Sequence, residues 1–563
     1  MAGPTGVVAM LRVTTLYAST AAVTAGYYTA YLTEAEGEIP GVWTGKQSGR
    51  FGLSGDVSGE QLELILSGKH PETAVTFGYA LRDRTLADGR VVRAVSGFDA
   101  TVSAPKSLSV WWALTGDARL LAAHDVAVNA TIEMLERYGA TTRIRSNGGR
   151  LHPDTNGLTI AAFRQSTSRL DDPQIHTHVV ISAKVQTADG GWYALDARMF
   201  KKYQRTLGGV YQSVLRAELT ERFGVRFNEI MNGQAEIAGI PPELLDAFSK
   251  RSVQVAGALD VKLQRFEARE GREPTPFERS AMEREAAIDT RGRKTGLTVT
   301  ELRDRWLGEA KELGITPQRL TAGILAAGRD PEPPQTVARG DISRLSEKMS
   351  AWHRMDVLRA LTDTFRPRPG VDGARWASFL DRTADQIVEQ SIDLDPPLPT
   401  TTTRRRSDGR SIWVEPTAPN VTSEAVLAQE ERILLWATEH QQSSLQPSLS
   451  VHRGRLDDLQ YDAAAAVAGF DRFALVVGPA GTGKTSMLRA AADDLTRQGR
   501  PTYAVAPTAK AARVLGRETG VAADTVAKLV YEWTQPGRNG SSRPVSPWSS
   551  MRPGCSPLTT CTT

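Results

Sequence analysis

The chain has 563 residues, 40% of them hydrophobic and 23% charged, with a formal net charge of +4. At a soft prior of about 150 residues per domain, three or four folding units are expected, and no apolar run approaches the ~20 residues that cross a bilayer. Its two cysteines, Cys555 and Cys561, both fall in the last residues, which excludes a disulfide framework or a thiolate metal cage from the folded body and fits a reducing, cytoplasmic setting.

The stretch from Val7 to Tyr31 is apolar but broken by Arg12 and several threonines, and it lacks a signal-peptide core. The amphipathic pattern begins after Met10, which is the expected natural start. A predicted helix carries Tyr27, Tyr28 and Tyr31; packing explains most such clusters, and chemistry requires further partners. Gly97 to Val110 reads as an alternating strand followed by a turn. It contains Asp99, which suits either a turn cap or a carboxylate that fixes a histidine tautomer. Lys106 in the same block is either a solvated charge or a phosphate contact. Leu120 to Tyr138 has the period of a helix. Asp172-Pro173 then reads as a turn, since the residue before proline avoids the helical region. The turn delivers a Val/Ile-rich strand on which His176 and His178, two apart, face the same side. Such a pair can be structural, and a metal site needs a third donor.

The segment Phe163 to His178 resembles the metal motif of MobF-type conjugative relaxases, HUH-superfamily nickases that start plasmid transfer. The tyrosine pair, followed by Val42-Trp43-Thr44-Gly45-Lys46 and Phe51-Gly52-Leu53-Ser54-Gly55, resembles the same family's N-terminus. The resemblance implies an α+β palm built on an antiparallel sheet and a Mg²⁺ or Mn²⁺ site. It also implies attack by a tyrosine on single-stranded DNA at an origin of transfer, leaving a 5′-phosphotyrosine. Tyr27 is the first choice of nucleophile, then Tyr28; Tyr31 alone comes near the role of a second pair. Asp99 takes the place of the acid that orients a ligand histidine or accepts the tyrosine proton. Where the family has a third ligand histidine, this chain has Gln165, whose carbonyl suits a hard cation better than Zn²⁺. Accessory relaxosome and coupling proteins are the partners so implied.

A helix is expected over Lys201 to Phe223, after the hairpin turn Asp189-Gly190-Gly191. Arg198, Lys201, Lys202 and Arg205 form a basic stripe that reads as a DNA-backbone contact or an ordinary solvated face. From Pro241 to Gly314 the interspersed Glu and Arg predict ion-paired helices, which in the family's pattern include mobile elements that close over DNA. A helical piece from Ile342 to Phe365 and Pro-rich flanks give residues 316–407 the reading of a linker, between a relaxase domain over 1–315 and a third unit over 408–533.

That third unit contains an apolar strand, Phe473 to Val477, before Gly478-Pro479-Ala480-Gly481-Thr482-Gly483-Lys484-Thr485 and a helix. The loop matches the P-loop pattern in full. Backbone amides freed by Gly478, Gly481 and Gly483 cradle phosphates, Lys484 reaches the terminal ones and Thr485 binds Mg²⁺, so ATP is the expected ligand. Leu456 to Gln460 resembles the adenine-reading glutamine segment of RecD-like helicases, with Gln460 as reader, and Ala506 to Ala512 resembles their DNA-contacting motif. A motor also needs an acidic Walker B strand and a second lobe. Neither is readable here, and a partial α/β P-loop domain without helicase activity is expected. Residues 534–563 have no periodicity and read as an irregular tail. Suitable codons for Pro544 to Cys555, shifted by two bases, can encode an Asp-Glu strand, so a frameshift is a second reading of that tail. Competing functions are a rolling-circle replication initiator and a DNA-binding remnant that has lost catalysis.

Overall fold

Strands rich in Val, Ile and Thr build one five-stranded antiparallel sheet: Leu11–Tyr17 (β1), Val42–Thr44 (β2), Val95–Ser103 (β3), Ile160–Thr167 (β4) and Pro173–Ser182 (β5), in the order β1-β3-β5-β4-β2. The computed structural model describes residues 11–33, 40–146, 148–290, 292, 297–329, 343–347, 349–399, 401–441, 446–479, 481–534 and 557–559. Two compact units result, Met1–Glu424 and Ala425–Thr563.

β5 is central, paired on both sides along its length. Partners directly opposite in a ladder share a face. His178 therefore sits between Thr101 of β3 and Phe163 of β4, and His176 between Ser103 and Gln165. A Cβ at Gly97 would lie 2.6 Å from Ile181 O, so the close β3–β5 approach there requires glycine.

Each face of this sheet is covered. On the histidine face, helices Ala21–Thr33 (α1) and Gly59–Leu66 (α2) pack together, with Ser58 accepting from Gln61 N at the start of α2. Leu62, Ile65 and Leu66 of α2 join Tyr28, Trp43, Phe163 and Val180 in one core, at roughly 2 kcal/mol for each buried aliphatic side chain. The opposite face carries Lys106–Thr115 (α3), Ala118–Gly139 (α4) and, after Arg198–Lys202 (α5), the long helix Gln204–Phe223 (α6). Lys106 thus opens a helix, where a turn was expected. The predicted helix over 201–223 is broken at Tyr203, whose buried ring stacks on His353 with centroids 5.1 Å apart. The aromatic hairpin is present as Lys184–Gln186 (β6) and Trp192–Ala194 (β7).

The charged segment folds as Lys250–Glu270 (α7), Pro276–Asp289 (α8), Val299–Glu312 (α9) and Pro317–Gly328 (α10). Ion pairs such as Lys262–Asp289 at 2.8 Å link α7 to α8, and reciprocal caps at Thr275/Glu278 and Thr298/Glu301 start α8 and α9. Trp306 of α9 is fully buried and donates from its indole to Asp171 O at 2.7 Å, which holds the loop that precedes the histidine strand.

The linker reading is corrected for the helices within it. Arg354–Thr364 (α11) and Gly373–Glu389 (α12) pack on α6, with Trp376 donating to Ser213 Oγ at 2.8 Å and Leu380 and Ala384 fully buried. α11 begins at Arg354 with His353 as its cap, and just before it Trp352 pairs with Val421 as an isolated bridge.

In the second unit, Asp458–Val467 (α13), Lys484–Arg497 (α14) and Ala509–Thr519 (α15) surround a short strand, Tyr503–Ala506 (β8). β8 is parallel to Ala522–Thr525 (β9) and to Pro557–Thr559 (β10), so the tail expected to be irregular supplies a strand. The expected strand Phe473 to Val477 does not form. Among the described residues it pairs with no neighbour, and Leu475 and Val477 stay exposed, because an extended segment becomes a strand only when its amides and carbonyls find a ladder. The shifted-frame segment, Pro544 to Cys555, lies outside the described residues, as does Met10.

Candidate active site and P-loop

On the α1-covered face, one hydrogen-bonded chain joins three elements. Tyr28 donates to Asp99 Oδ2 at 2.7 Å, and His178 Nδ1 meets the same oxygen at 2.8 Å. Since a carboxylate accepts, Nδ1 of His178 carries the proton and Nε2 keeps its lone pair. His176 Nδ1 lies 2.8 Å from Gln174 O; a carbonyl also only accepts, so its Nε2 is likewise left as a donor for a metal. The two imidazole centroids are 5.2 Å apart. Thr101, two residues from Asp99 on the same strand face, places its hydroxyl 3.3 Å from His178 Nδ1 and 3.4 Å from Asp99 Oδ1.

The tyrosines are placed differently. Tyr28 is 3% exposed, stacked on Phe163 (centroids 5.2 Å) and edge-on to His178 (5.4 Å). Tyr27 is half-buried, edge-on to Tyr28, and its hydroxyl accepts from Arg169 Nη2 at 2.8 Å. Tyr31 falls within α1, and its side chain lies outside the described residues.

Gln165, opposite His176, is 2% exposed, and its Nε2 is buried with no hydrogen-bond partner among the described residues. Amide oxygen and nitrogen exchange places by a flip, so this orphaned position also suits the carbonyl oxygen. Among the described residues there is no cluster of three His, Cys, Asp or Glu. The donors that could hold a divalent cation here are His176, His178 and the amide of Gln165, a set that fits a hard or borderline metal.

Of the basic residues expected on DNA, Lys106 turns inward, its ammonium donating to Pro173 O at 2.9 Å. Burial, opposed by the charges of Asp172 and Glu236, brings its pKa down to about 8. Arg198 is engaged by Asp196 and by Glu415 at 2.6 Å each. Lys201 is exposed and reaches Thr15 Oγ1 at 3.5 Å, away from the histidines, because Thr15 lies opposite Phe98 on the other sheet face.

Arg169 and Thr101 were not singled out by sequence. Period-two spacing from Asp99 could have indicated Thr101; Arg169, beside two aspartates, reads as a turn ion pair. Behind the sheet, His124 bridges Tyr211 Oη (2.7 Å) and Thr177 Oγ1 (2.8 Å), and burial lowers its pKa to about 3, so it is neutral.

In the second unit Gly483, in the left-handed region, caps α14, which begins at Lys484, with Thr485 next. Lys484 Nζ rests on Gly478 O (2.6 Å) and Pro479 O (2.7 Å), and Gly481 is also left-handed. Gln460 closes the α13 cap with Asp457 and donates to Thr482 O at 3.0 Å, so it touches the loop from outside.

An antiparallel sheet with a His-x-His strand facing a tyrosine helix, followed by a P-loop unit, describes a relaxase joined to a nucleotide-binding domain. A family model described as TrwC relaxase matches residues 12–313, more than half of the chain, and a model described as AAA domain matches residues 455–554. The chain belongs to the TrwC relaxase family. It is 29% identical over 375 residues to the multifunctional conjugation protein TraI of Escherichia coli, a match covering 63% of this chain and 20% of that relative's length. It is 37% identical over 91 residues to the probable conjugal transfer protein TraA of Sinorhizobium fredii (strain NBRC 101917 / NGR234), covering 16% of this chain and 8% of TraA. Among solved structures, the conjugative relaxase TrwC in complex with oriT DNA is similar in its metal-bound form, at 32% identity and a TM-score of 0.46, over 55% of this chain and 100% of that one. The metal-free form gives the same identity and coverage with a TM-score of 0.45.

Proposed function

We propose that this chain nicks single-stranded DNA at an origin of transfer by transesterification, with Tyr27 as nucleophile. The observation that carries the reading is the Tyr28–Asp99–His178 chain, which ties the tyrosine helix to the histidine strand. Tyr27 Oη attacks phosphorus in line, the bond to the 3′-oxygen breaks, and the products are a 5′-phosphotyrosine and a 3′-hydroxyl that has taken up a proton. One phosphoester replaces another, so the nick can be resealed by the reverse step. Arg169, already on the Tyr27 hydroxyl, offsets negative charge on the attacking oxygen and the phosphate. Asp99 holds the His178 tautomer and, through Tyr28, the pitch of α1. Mg²⁺ or Mn²⁺ bound by His176, His178 and Gln165 would polarise a non-bridging phosphate oxygen.

Membership of the TrwC relaxase family and likeness to the conjugation protein TraI support an origin of transfer as substrate, with relaxosome and coupling proteins as partners and the cytoplasm as location. No described helix is long and apolar enough to cross a membrane. The P-loop unit is proposed not to work as a helicase, since the segment Phe473 to Val477 before the loop pairs with no strand among the described residues.

The test is incubation of the full chain with labelled single-stranded oligonucleotides tiling the host plasmid's transfer region and its replication origin, with Mg²⁺ or Mn²⁺, and detection of a denaturation-resistant adduct. The native chain should form one; Tyr27→Phe and His176→Ala should not. No adduct with either metal would favour a DNA-binding remnant, the reading that Gln165 in place of a third histidine supports. Cleavage confined to a replication origin would instead identify a rolling-circle initiator.

A further inference from the structure

Two adjoining cavities lie at the junction of α6, α11 and α12 and are unused by the reaction above; the larger is lined only by residues beyond the matched relaxase segment, the smaller partly by residues within it. The larger, of about 780 Å³, is walled by three aromatic rings: Phe379 is stacked on Trp376 with centroids 5.1 Å apart, and Phe365 stands edge-on to Phe379 at 5.7 Å. Arg368 and Arg382 also line it; both are exposed and have no carboxylate partner among the described residues. The smaller cavity, of about 220 Å³, shares Arg366 with the first and adds Arg216 and Arg226. Neither lining contains an acidic residue.

Arg216 is the unusual member. It is 1% exposed, donates to two neutral carbonyls, Gly233 O at 3.0 Å and Thr362 O at 3.1 Å, and its Nε is buried without a partner among the described residues. Burial, with Arg366 and Arg359 nearby, lowers its pKa to about 10, against the opposing charge of Asp363. Asp363 already supplies an opposing charge there, so the exposed Arg368 and Arg382 of the larger cavity are the guanidiniums open to an incoming anion.

We propose that the larger cavity holds consecutive units of a single DNA strand, one base against Phe379 and Phe365 and its flanking phosphates beside Arg368 and Arg382. A flat aromatic wall next to arginine is the combination by which single strands are held without regard to sequence, stacking supplying the base contact and guanidinium the backbone contact. An acidic peptide would satisfy the arginines and leave the ring faces unused. The site extends the DNA reading given above and rests on it only for the class of nucleic acid. It would retain a strand independently of the nicking centre.

The experiment uses the full chain and a fluorescein-labelled oligothymidylate of about 20 nucleotides, which contains no origin sequence. Anisotropy is recorded across a salt series for the native chain, Phe379→Ala, and the double variant Arg368→Ala/Arg382→Ala. Affinity should fall roughly fivefold or more for Phe379→Ala. The double variant, whose side chains are exposed and leave the core intact, should lower the slope of log affinity against log salt by about 1.4, at ~0.7 per lost contact. An oligonucleotide carrying 5-iodouracil should photocrosslink to the peptide containing Phe379. Unchanged affinity and slope, with crosslinks only elsewhere, would overturn the proposal. So would displacement of the oligonucleotide by polyglutamate, which would point to an acidic partner, or by micromolar thymidine monophosphate, which would point to a free nucleotide. Tyr27→Phe should leave all three measurements at native values, so loss of the adduct reaction and loss of this site are told apart.

Discussion

Tyr28 and His178 share one oxygen: both donate to Asp99 Oδ2, at 2.7 and 2.8 Å, so a single carboxylate ties the tyrosine helix to the histidine strand and sets the tautomer of the histidine proposed as a metal ligand. Asp99→Asn keeps an oxygen able to accept both donors but removes the negative charge that raises the basicity of the histidine. Metal affinity should fall ten- to a hundredfold, the range for losing the partner of a ligand histidine. Titration calorimetry with Mn²⁺ checks it, and an unchanged affinity would remove Asp99 from the site.

Tyr28→Phe removes only the hydroxyl of a buried ring. It should cost about 1 kcal/mol of unfolding free energy, by denaturant titration, as Asp99 loses a donor. Adduct formation should survive, whereas Tyr27→Phe should abolish it with no loss of stability. Adduct formation lost in Tyr28→Phe and retained in Tyr27→Phe would reverse the two roles.

Gln165→His converts the amide opposite His176 into an imidazole. If Gln165 is the third donor, the variant should bind Zn²⁺ and Mn²⁺ at least about tenfold more tightly than the native chain, since neutral imidazole is the stronger ligand for both. Equal affinities would show that the side chain at 165 does not reach the metal.

Lys106 gives a pH dependence. Its folded pKa, about 8, lies below the ordinary 10.5, so the unfolded chain binds more protons between those values and folding stability gains as pH rises through that window. Below pH 8 the cost of the buried ammonium is present in full. Lys106→Met should therefore gain less stability than the native chain as pH is raised from 8 towards 10.5. Parallel pH profiles in denaturant unfolding would mean the ammonium is solvated.

For the second unit, DNA-stimulated ATP hydrolysis by the native chain should not exceed that of Lys484→Ala. Robust turnover by the native chain alone would contradict the reading of the P-loop as disconnected from a motor.

The parts of this architecture that are local in the chain could be read from residues alone. Alternation from Ile175 to Ile181 put both histidines on one face, and Asp172-Pro173 marked the turn before them. Links across long separations could not. Tyr28 and Asp99 are 71 residues apart, and nothing in either segment says which tyrosine turns inward. Lys106 looked like a surface charge because only the fold brings Pro173 and Asp172 to its ammonium. Phe473 to Val477 has a strand's composition, but its pairing depends on residues elsewhere. In 316–407 the Pro-rich flanks outweighed a signal that was present: Trp376, Leu380 and Ala384, four apart, are the buried stripe of α12.

β5 is hydrogen-bonded on both edges, and its preceding loop is pinned by the indole of Trp306. The imidazole spacing is consequently a property of the backbone, and it persists whatever a strand of DNA does as it arrives or leaves. Adjustment falls to α1, which meets the sheet through side chains alone: the Tyr28–Asp99–His178 chain, the Tyr27–Arg169 hydrogen bond and the core around Phe163. In mechanical terms the anvil is set by backbone and the hammer by side chains.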